Sequence, residues 1–307
     1  MPKESLSKSA AALAKVLQNH TAADIESSGK VIEIDSNMSP MEASQVLWEN
    51  NILGAPVWDS EKKKYLGFFD MRDTLSAVIA SQKDIKGDSI PLMTKWFEDM
   101  NVTVTYLAAR NPFVYCKPDT SLEQVCRLLS KNKCHRIPVI GEDGRCISII
   151  SQSALVKGLA ERVQDPLDET IQEACLPYKK DIVSAKDTAT AMQVFELLDN
   201  KRLSGIAVVD EETGKLVGNT SARDIKLAVL GKDSMDQDIL SYLATLRQST
   251  YNKKERYPSA HVSEDSTVGH AIRLLAKTGY HRVFVVDQDT RPVGVISVAD
   301  IIRFVVD

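Results

Sequence analysis

Four times along this chain a short apolar strand pattern carries a Gly-type position and, six residues later, an acid-type position. The pairs are Gly67/Asp73, Ser148/Ala154, Gly218/Asp224 and Gly294/Asp300. The residue three before the acid is Asp70, Ser151, Ser221 and Ser297 in turn. An internal repeat constrains a fold more than any single residue can, because each copy must form the same small unit. Its unevenness matters as well: Asp, Ala, Asp, Asp at one equivalent place predicts unequal sites.

Short strands centred on Pro56, Pro138, Ala207 and Phe284 precede the repeated step. A turn rich in Asp, Glu, Lys and Gly follows each, then a second strand at 65–69, 146–150, 216–220 and 293–296. Two β-rich runs around a charged turn read as a hairpin. Upstream lies the i, i+3, i+4, i+7 stripe of an amphipathic helix. The stripe is Leu122, Val125, Cys126, Leu129 in the second copy, Ala191, Val194, Phe195, Leu198 in the third, and Val268, Ala271, Ile272, Leu275 in the fourth. The first copy has a weaker one, Pro40, Ala43, Ser44, Leu47. Thr120-Ser-Leu-Glu123 reads as a capping box. Another helix is expected after each Ser-x-x-Asp step. Each unit is therefore strand, helix, strand, strand, helix, in the α+β class. One unit has too little core to stand alone, so four predict two paired modules.

Composition narrows the function. A net charge of −4 argues against nucleic-acid binding through overall basicity. No run reaches the length of a membrane span, and the start Met-Pro-Lys-Glu-Ser lacks the order of a signal peptide. The cysteines Cys116, Cys126, Cys134, Cys146 and Cys175 are odd in number and form no CxxC, so reduced thiols in a cytoplasmic or nuclear protein are expected. There is no P-loop, HExxH or GxSxG. His261, His270 and His281 are a weak metal set in different elements. Cys134-His135 is a poor nucleophile pair, since strand neighbours point to opposite faces. The chain is expected to be non-catalytic.

Gly54-Ala-Pro-Val-Trp-Asp-Ser60, Asn132-Lys-Cys-His-Arg-Ile-Pro-Val-Ile140 and His281-Arg-Val-Phe-Val-Val-Asp287, leading into Gly294-Val-Ile-Ser-Val-Ala-Asp300, resemble cystathionine-β-synthase (CBS) domains. More closely they resemble the γ regulatory subunits of the AMP-activated protein kinase family, which also lack the acid in the second repeat. The resemblance implies four CBS repeats paired into two Bateman modules, in a disc-like, pseudo-symmetric arrangement. The implied layout is a leader helix in 1–30, repeat one at 31–80, a connector at 81–111, repeat two at 112–163 and a linker at 164–180. Repeat three follows at 181–232, a linker at 233–256 and repeat four at 257–307. It implies AMP, ADP and ATP as regulatory ligands, and a heterotrimer with a catalytic kinase subunit and a scaffolding β-type subunit. The leader and the connector around Trp96-Phe97 are candidate contacts to that scaffold; Trp96-Phe97 reads equally as a core pair.

An isolated Ser-x-x-Asp is an ordinary helix start, with Ser as cap and Asp complementing the dipole. Free N–H groups at such a start also suit phosphate or hydroxyl oxygens, and a carboxylate can accept from two vicinal ribose hydroxyls. The resemblance makes Asp224 and Asp300 ribose partners, with Asp73 as a third acid, and Ser221 and Ser297 part of the same step. His135-Arg136 and His281-Arg282 each lead into an apolar strand; they are either solvated strand edges or, as the resemblance implies, phosphate partners. Arg223 is an exposed helix charge or a further phosphate partner. Val114, Val183, Ser204 and Gly205 are placed near an adenine slot by the resemblance, or are plain sheet core and turn. Lys253, Lys254 and Arg256 read as a solvated linker or a phosphate clamp. Three departures weaken the first module: Leu53 where the family has Arg, Asp70 where it has a Thr-type residue, and Ser153 where it has Lys. The second module keeps Asp224, Asp300, His281 and Arg282, which ranks it first. The rival reading is a nucleotide-blind CBS scaffold.

Overall fold

A computed structural model of the chain describes residues 7–25, 29–84, 102–111, 113–225, 235–248 and 259–306. All four repeats follow one plan. The first has a lead strand Ile34–Asp35, a helix Pro40–Glu49, a hairpin of Gly54–Asp59 and Lys64–Asp70, and a second helix Met71–Asp84. The second has a helix Leu122–Asn132, strands Arg136–Ile140 and Cys146–Ser151, and a helix Gln152–Arg162. Its lead strand is reduced to a parallel bridge from Cys116 to Val139. The fourth runs His261–Val262, Val268–Thr278, Arg282–Val286, Pro292–Ser297 and Val298–Val306. The third runs Ser184–Lys186, Ala191–Asn200, Gly205–Val209 and Leu216–Ser221, then a single 3-10 turn, Ala222–Ile225. Whatever helix follows that turn lies outside the described residues.

In the first, third and fourth repeats the lead strand pairs in parallel with the first hairpin strand, which becomes the centre of a three-stranded sheet. Each hairpin carries a bulge at the same place, with Leu66, Ile147, Val217 or Val293 left unpaired. The Gly-type position follows it directly. A bulge adds one residue to one strand and sharpens its twist, which carries the strand end toward the helix behind the sheet.

Sequence places the helix stripes correctly, the weak first one included: Ala43, Ser44 and Leu47 are fully buried. Ser44 is polar yet lies in the core, where its Oγ meets the Pro40 carbonyl and the Thr74 hydroxyl, each at 2.8 Å. The cap expected at Thr120 sits one residue later. Ser121 accepts from the Gln124 N–H at 3.2 Å, while the Thr120 hydroxyl accepts from the Lys117 N–H. Capping boxes form instead at Ser39/Glu42 and Thr190/Gln193.

The chain divides into two compact units, each discontinuous in sequence. One contains 1–31, 114–182 and 257–307; the other contains 32–113 and 183–256. The helix stripes therefore meet alternate repeats. The stripe of the second repeat shares a core with that of the fourth, and the leader helix Lys8–Asn19 adds Leu13 and Leu17 to it. The first repeat shares a core with the third, joined by Leu107 of the short Val104–Ala109 helix and by Tyr242 of the Ile239–Gln248 helix. A hydrophobic period says which face of a helix is buried but not which repeat covers it.

Candidate functional site

The repeated step is built the same way four times. The backbone N–H of Met71, Gln152, Ala222 and Val298, each just after the second hairpin strand, donates to the carbonyl of Leu53, His135, Ser204 and His281 respectively. One residue further on, the sheet register sets Gly54 opposite Asp70, Arg136 opposite Ser151, Gly205 opposite Ser221 and Arg282 opposite Ser297. The two His-Arg pairs thus stand at equivalent places, each beside the step of its own repeat. Ser204-Gly205 is the third repeat's version and Leu53-Gly54 the first's. Cys134 and His135 lie in the turn before the strand rather than on it, so opposite strand faces do not separate them.

All three acids are buried, and one oxygen of each is used locally. Asp300 Oδ2 accepts from the Ser297 N–H at 2.7 Å and the Ser297 hydroxyl at 2.5 Å, while the Asp300 N–H donates back to Ser297 Oγ at 3.3 Å. This is a complete capping box. Asp224 Oδ2 accepts from the Ser221 N–H at 2.8 Å, the Ser221 hydroxyl at 3.0 Å and the Thr220 hydroxyl at 3.3 Å. Asp73 Oδ2 accepts from the Asp70 N–H at 3.1 Å and the Asn111 amide at 3.3 Å. In the second repeat Ser151 still caps its helix, accepting from the Ala154 N–H at 3.1 Å.

The second oxygens differ. Asp300 Oδ1 is taken by Arg303, one turn along the same helix. Asp73 Oδ1 faces Arg110 at 3.8 Å. Among the described residues Asp224 engages only its Oδ2, which leaves its Oδ1 for a hydroxyl donor. Burial pushes the Asp73 carboxyl up to about 6; the Asp70 N–H opposes the rise, the Asp70 charge adds to it, and Arg110 and Arg72 oppose it.

Val114 and Val183 occupy equivalent positions, two residues before the lead-strand partners of Val139 and Val208. Both are partly buried against the cores of their units. The same position is Ile32 in the first repeat and Ala260 in the fourth, which sequence reasoning had not singled out. Arg223 reaches Asn51 of the first repeat, and Arg72 stands at the same step in that repeat; the equivalence was missed because that step opens on Asp70 rather than a Ser. His135, Arg136, His281, Arg282, Ser297, Asp300 and Val114 fall in one unit. Asp73, Val183, Ser204, Gly205, Ser221, Arg223 and Asp224 fall in the other. Asp224 and Asp300, ranked together from sequence, thus belong to different units. Trp96-Phe97 and the Lys253, Lys254, Arg256 cluster lie outside the described residues.

A cavity of about 320 Å³ opens beside the fourth repeat, with Leu176, Pro177, Cys175 and Lys180 in its wall. Tyr178 donates to Glu264, and its phenol is pushed up to about 12 by burial, then by that carboxylate. All five cysteines are free thiols, with Cys126 raised to about 12 by burial. Among the described residues no three His, Cys, Asp or Glu side chains gather as a metal site, so His261, His270 and His281 do not form one. No helix of the described residues is long and apolar enough to cross a membrane.

The CBS domain family model matches residues 104–161, 177–231 and 256–307. The chain is similar to the 5'-AMP-activated protein kinase subunit gamma of Dictyostelium discoideum, 24% identical over 309 residues, and to subunit gamma-3 of Homo sapiens, 26% identical over 304 residues. Each alignment covers 95% of this chain, but the chain spans only 52% and 60% of those relatives. The gamma subunit of Saccharomyces cerevisiae is 24% identical over 301 residues, 95% of this chain and 91% of the relative. In fold, the chain matches a Methanocaldococcus jannaschii protein named as a candidate archaeal homolog of g-AMPK. The TM-score is 0.67 at 16% identity, over 93% of this chain and 99% of that one. An uncharacterized conserved protein of Pyrococcus horikoshii gives 0.56 at 13% identity, over 93% of this chain and 100% of that one. The first repeat escapes the family model, yet its lead strand, helices, hairpin and bulge repeat those of the matched segments. With three matched segments that together exceed half its length, the chain belongs to the CBS-domain family.

Proposed function

We propose that this chain is a non-catalytic regulatory subunit that binds AMP, ADP or ATP through its Ser-x-x-Asp steps. In this reading it joins a catalytic protein kinase subunit and a scaffolding β-type subunit. The observation that carries the reading is Asp224. Its carboxylate is buried and held by three donors on one oxygen, while the other oxygen has no partner among the described residues. A fixed carboxylate with one oxygen to spare suits a ribose hydroxyl better than a mobile surface acid does, because little ordering entropy remains to be lost. The similarity to kinase gamma subunits supports the partner class. Regulation would follow from AMP and ATP favouring different arrangements of the subunit and its partners. The leader's apolar face is already buried in its own unit, so a scaffold contact there would use its polar side.

A nucleotide-blind scaffold is the second reading. It is favoured by the engagement of Asp300 with Arg303 and of Asp73 with Arg110. Isothermal titration with AMP, ADP and ATP separates the two. Binding at millimolar concentration or tighter, lost in Asp224→Ala, supports the sensor; no binding of any of the three supports the scaffold. Capture of a protein kinase subunit by the tagged chain tests the partner assignment on its own.

A further inference from the structure

Tyr242 lies on the Ile239–Gln248 helix, in the segment between the third and fourth repeats, and is wholly buried. Its ring meets Phe195 edge-on, with centroids 5.4 Å apart and planes at 75°. A buried phenol needs a hydrogen-bond partner. The Tyr242 hydroxyl donates, at 2.8 Å, to the main-chain carbonyl of Asp224.

Asp224 lies in the 3-10 turn Ala222–Ile225. Its carbonyl accepts a bond from the Ile239–Gln248 helix. The same residue is thus held at two ends: the carboxylate by Ser221 and Thr220, the carbonyl by Tyr242.

We propose that Tyr242 is a positioning residue that sets the Asp224 carboxylate for the ligand of the third repeat. The proposal rests on the nucleotide reading above and extends it to the segment leading into the fourth repeat. Tyr242→Phe keeps the ring and the packing on Phe195 but removes this hydroxyl donor from the Asp224 carbonyl.

Two measurements on the full chain decide it. In amide hydrogen exchange, Tyr242→Phe should speed exchange of the Ser221 N–H, which donates to Asp224, by about fivefold or more, and leave the equivalent Ser297 N–H unchanged. In AMP titration, Tyr242→Phe should weaken binding about 3- to 10-fold in the native chain and have no further effect in Asp224→Asn. Unchanged Ser221 exchange overturns the proposal. So does faster exchange throughout the chain, which marks simple destabilisation, or an equal loss of AMP affinity in the Asp224→Asn background. If the native chain binds no AMP, the nucleotide reading falls, while Ser221 exchange still decides whether Tyr242 holds Asp224.

Discussion

Asp73, Asp224 and Asp300 stand at one position of three repeats, yet their second oxygens meet Arg110, no described partner, and Arg303. Of the three, Asp73 has the clearest consequence for pH. Its carboxyl is raised from 3.8 to about 6, chiefly by burial. Between those values the folded chain holds a proton there that the unfolded chain has released, so this contribution to stability falls as pH rises through about 4 to 6. The shift corresponds to roughly 2–3 kcal/mol. Asp73→Asn has nothing to ionise and keeps an acceptor for the Asp70 N–H. Its stability relative to the native chain should rise by about that amount between pH 4 and pH 7, read by urea unfolding. A difference that stays flat with pH would refute the assignment. Sequence had marked this site as impaired through Asp70, and Asp70 does raise the acid further. Burial, the larger cause, and Arg110, which opposes it, come from tertiary packing that one repeat does not encode.

At the scale of the element, the Gly-type position of the repeat has two different physical causes. Gly67, at φ +151°, lies under the connector: an added Cβ would stand 2.0 Å from the Ala108 carbonyl oxygen. Gly294 lies under the segment at 178–179, where Lys179 bridges to Val295, and a Cβ would meet the Tyr178 ring at 2.5 Å. In both repeats a linker crosses the hairpin directly after its bulge. Gly67→Ala should cost about 3 kcal/mol or more, because the obstacle is backbone and the dihedral favours glycine. Gly294→Ala should cost about 1–3 kcal/mol, and Tyr178→Ala should relieve part of it, so that the double variant is more stable than the two single losses imply. Thermal melts of the four chains check this, and strict additivity at Gly294/Tyr178 would exclude the clash as the cause. The hairpins and helix stripes were legible because periods of 2 and 3.6 residues are written into the chain. The bulges were not, since one extra residue in a strand leaves no mark on an apolar run. The Thr120 cap was misplaced by one for a similar reason, Thr120 and Ser121 being equally able to accept an N–H.

The largest scale is where sequence reasoning had least to work with. Four equal units show that faces must be covered, but the pairing of alternate repeats depends on side-chain fit between helices far apart in the chain. The third stripe packs on the helix Met71–Asp84 of the first repeat, the second stripe on Val298–Val306 of the fourth, and the fourth stripe on Gln152–Arg162 of the second. Burying one such side chain stabilises by roughly 1.5–3 kcal/mol, so a cut that parts these helices removes an amount comparable to the 5–15 kcal/mol by which a domain is usually stable. Cutting between residues 163 and 164 does this to both units at once, because it separates the first repeat from the third and the second from the fourth. Fragment 1–163 and fragment 164–307, each made alone, should therefore not persist as folded monomers. They should self-associate through the bared stripes or precipitate. Made together, they should recover a one-to-one complex with the helix content of the intact chain. Size exclusion with light scattering distinguishes these outcomes. A folded, monomeric 1–163 would mean that consecutive repeats suffice to cover the stripes, and that the cores shared by alternate repeats are dispensable.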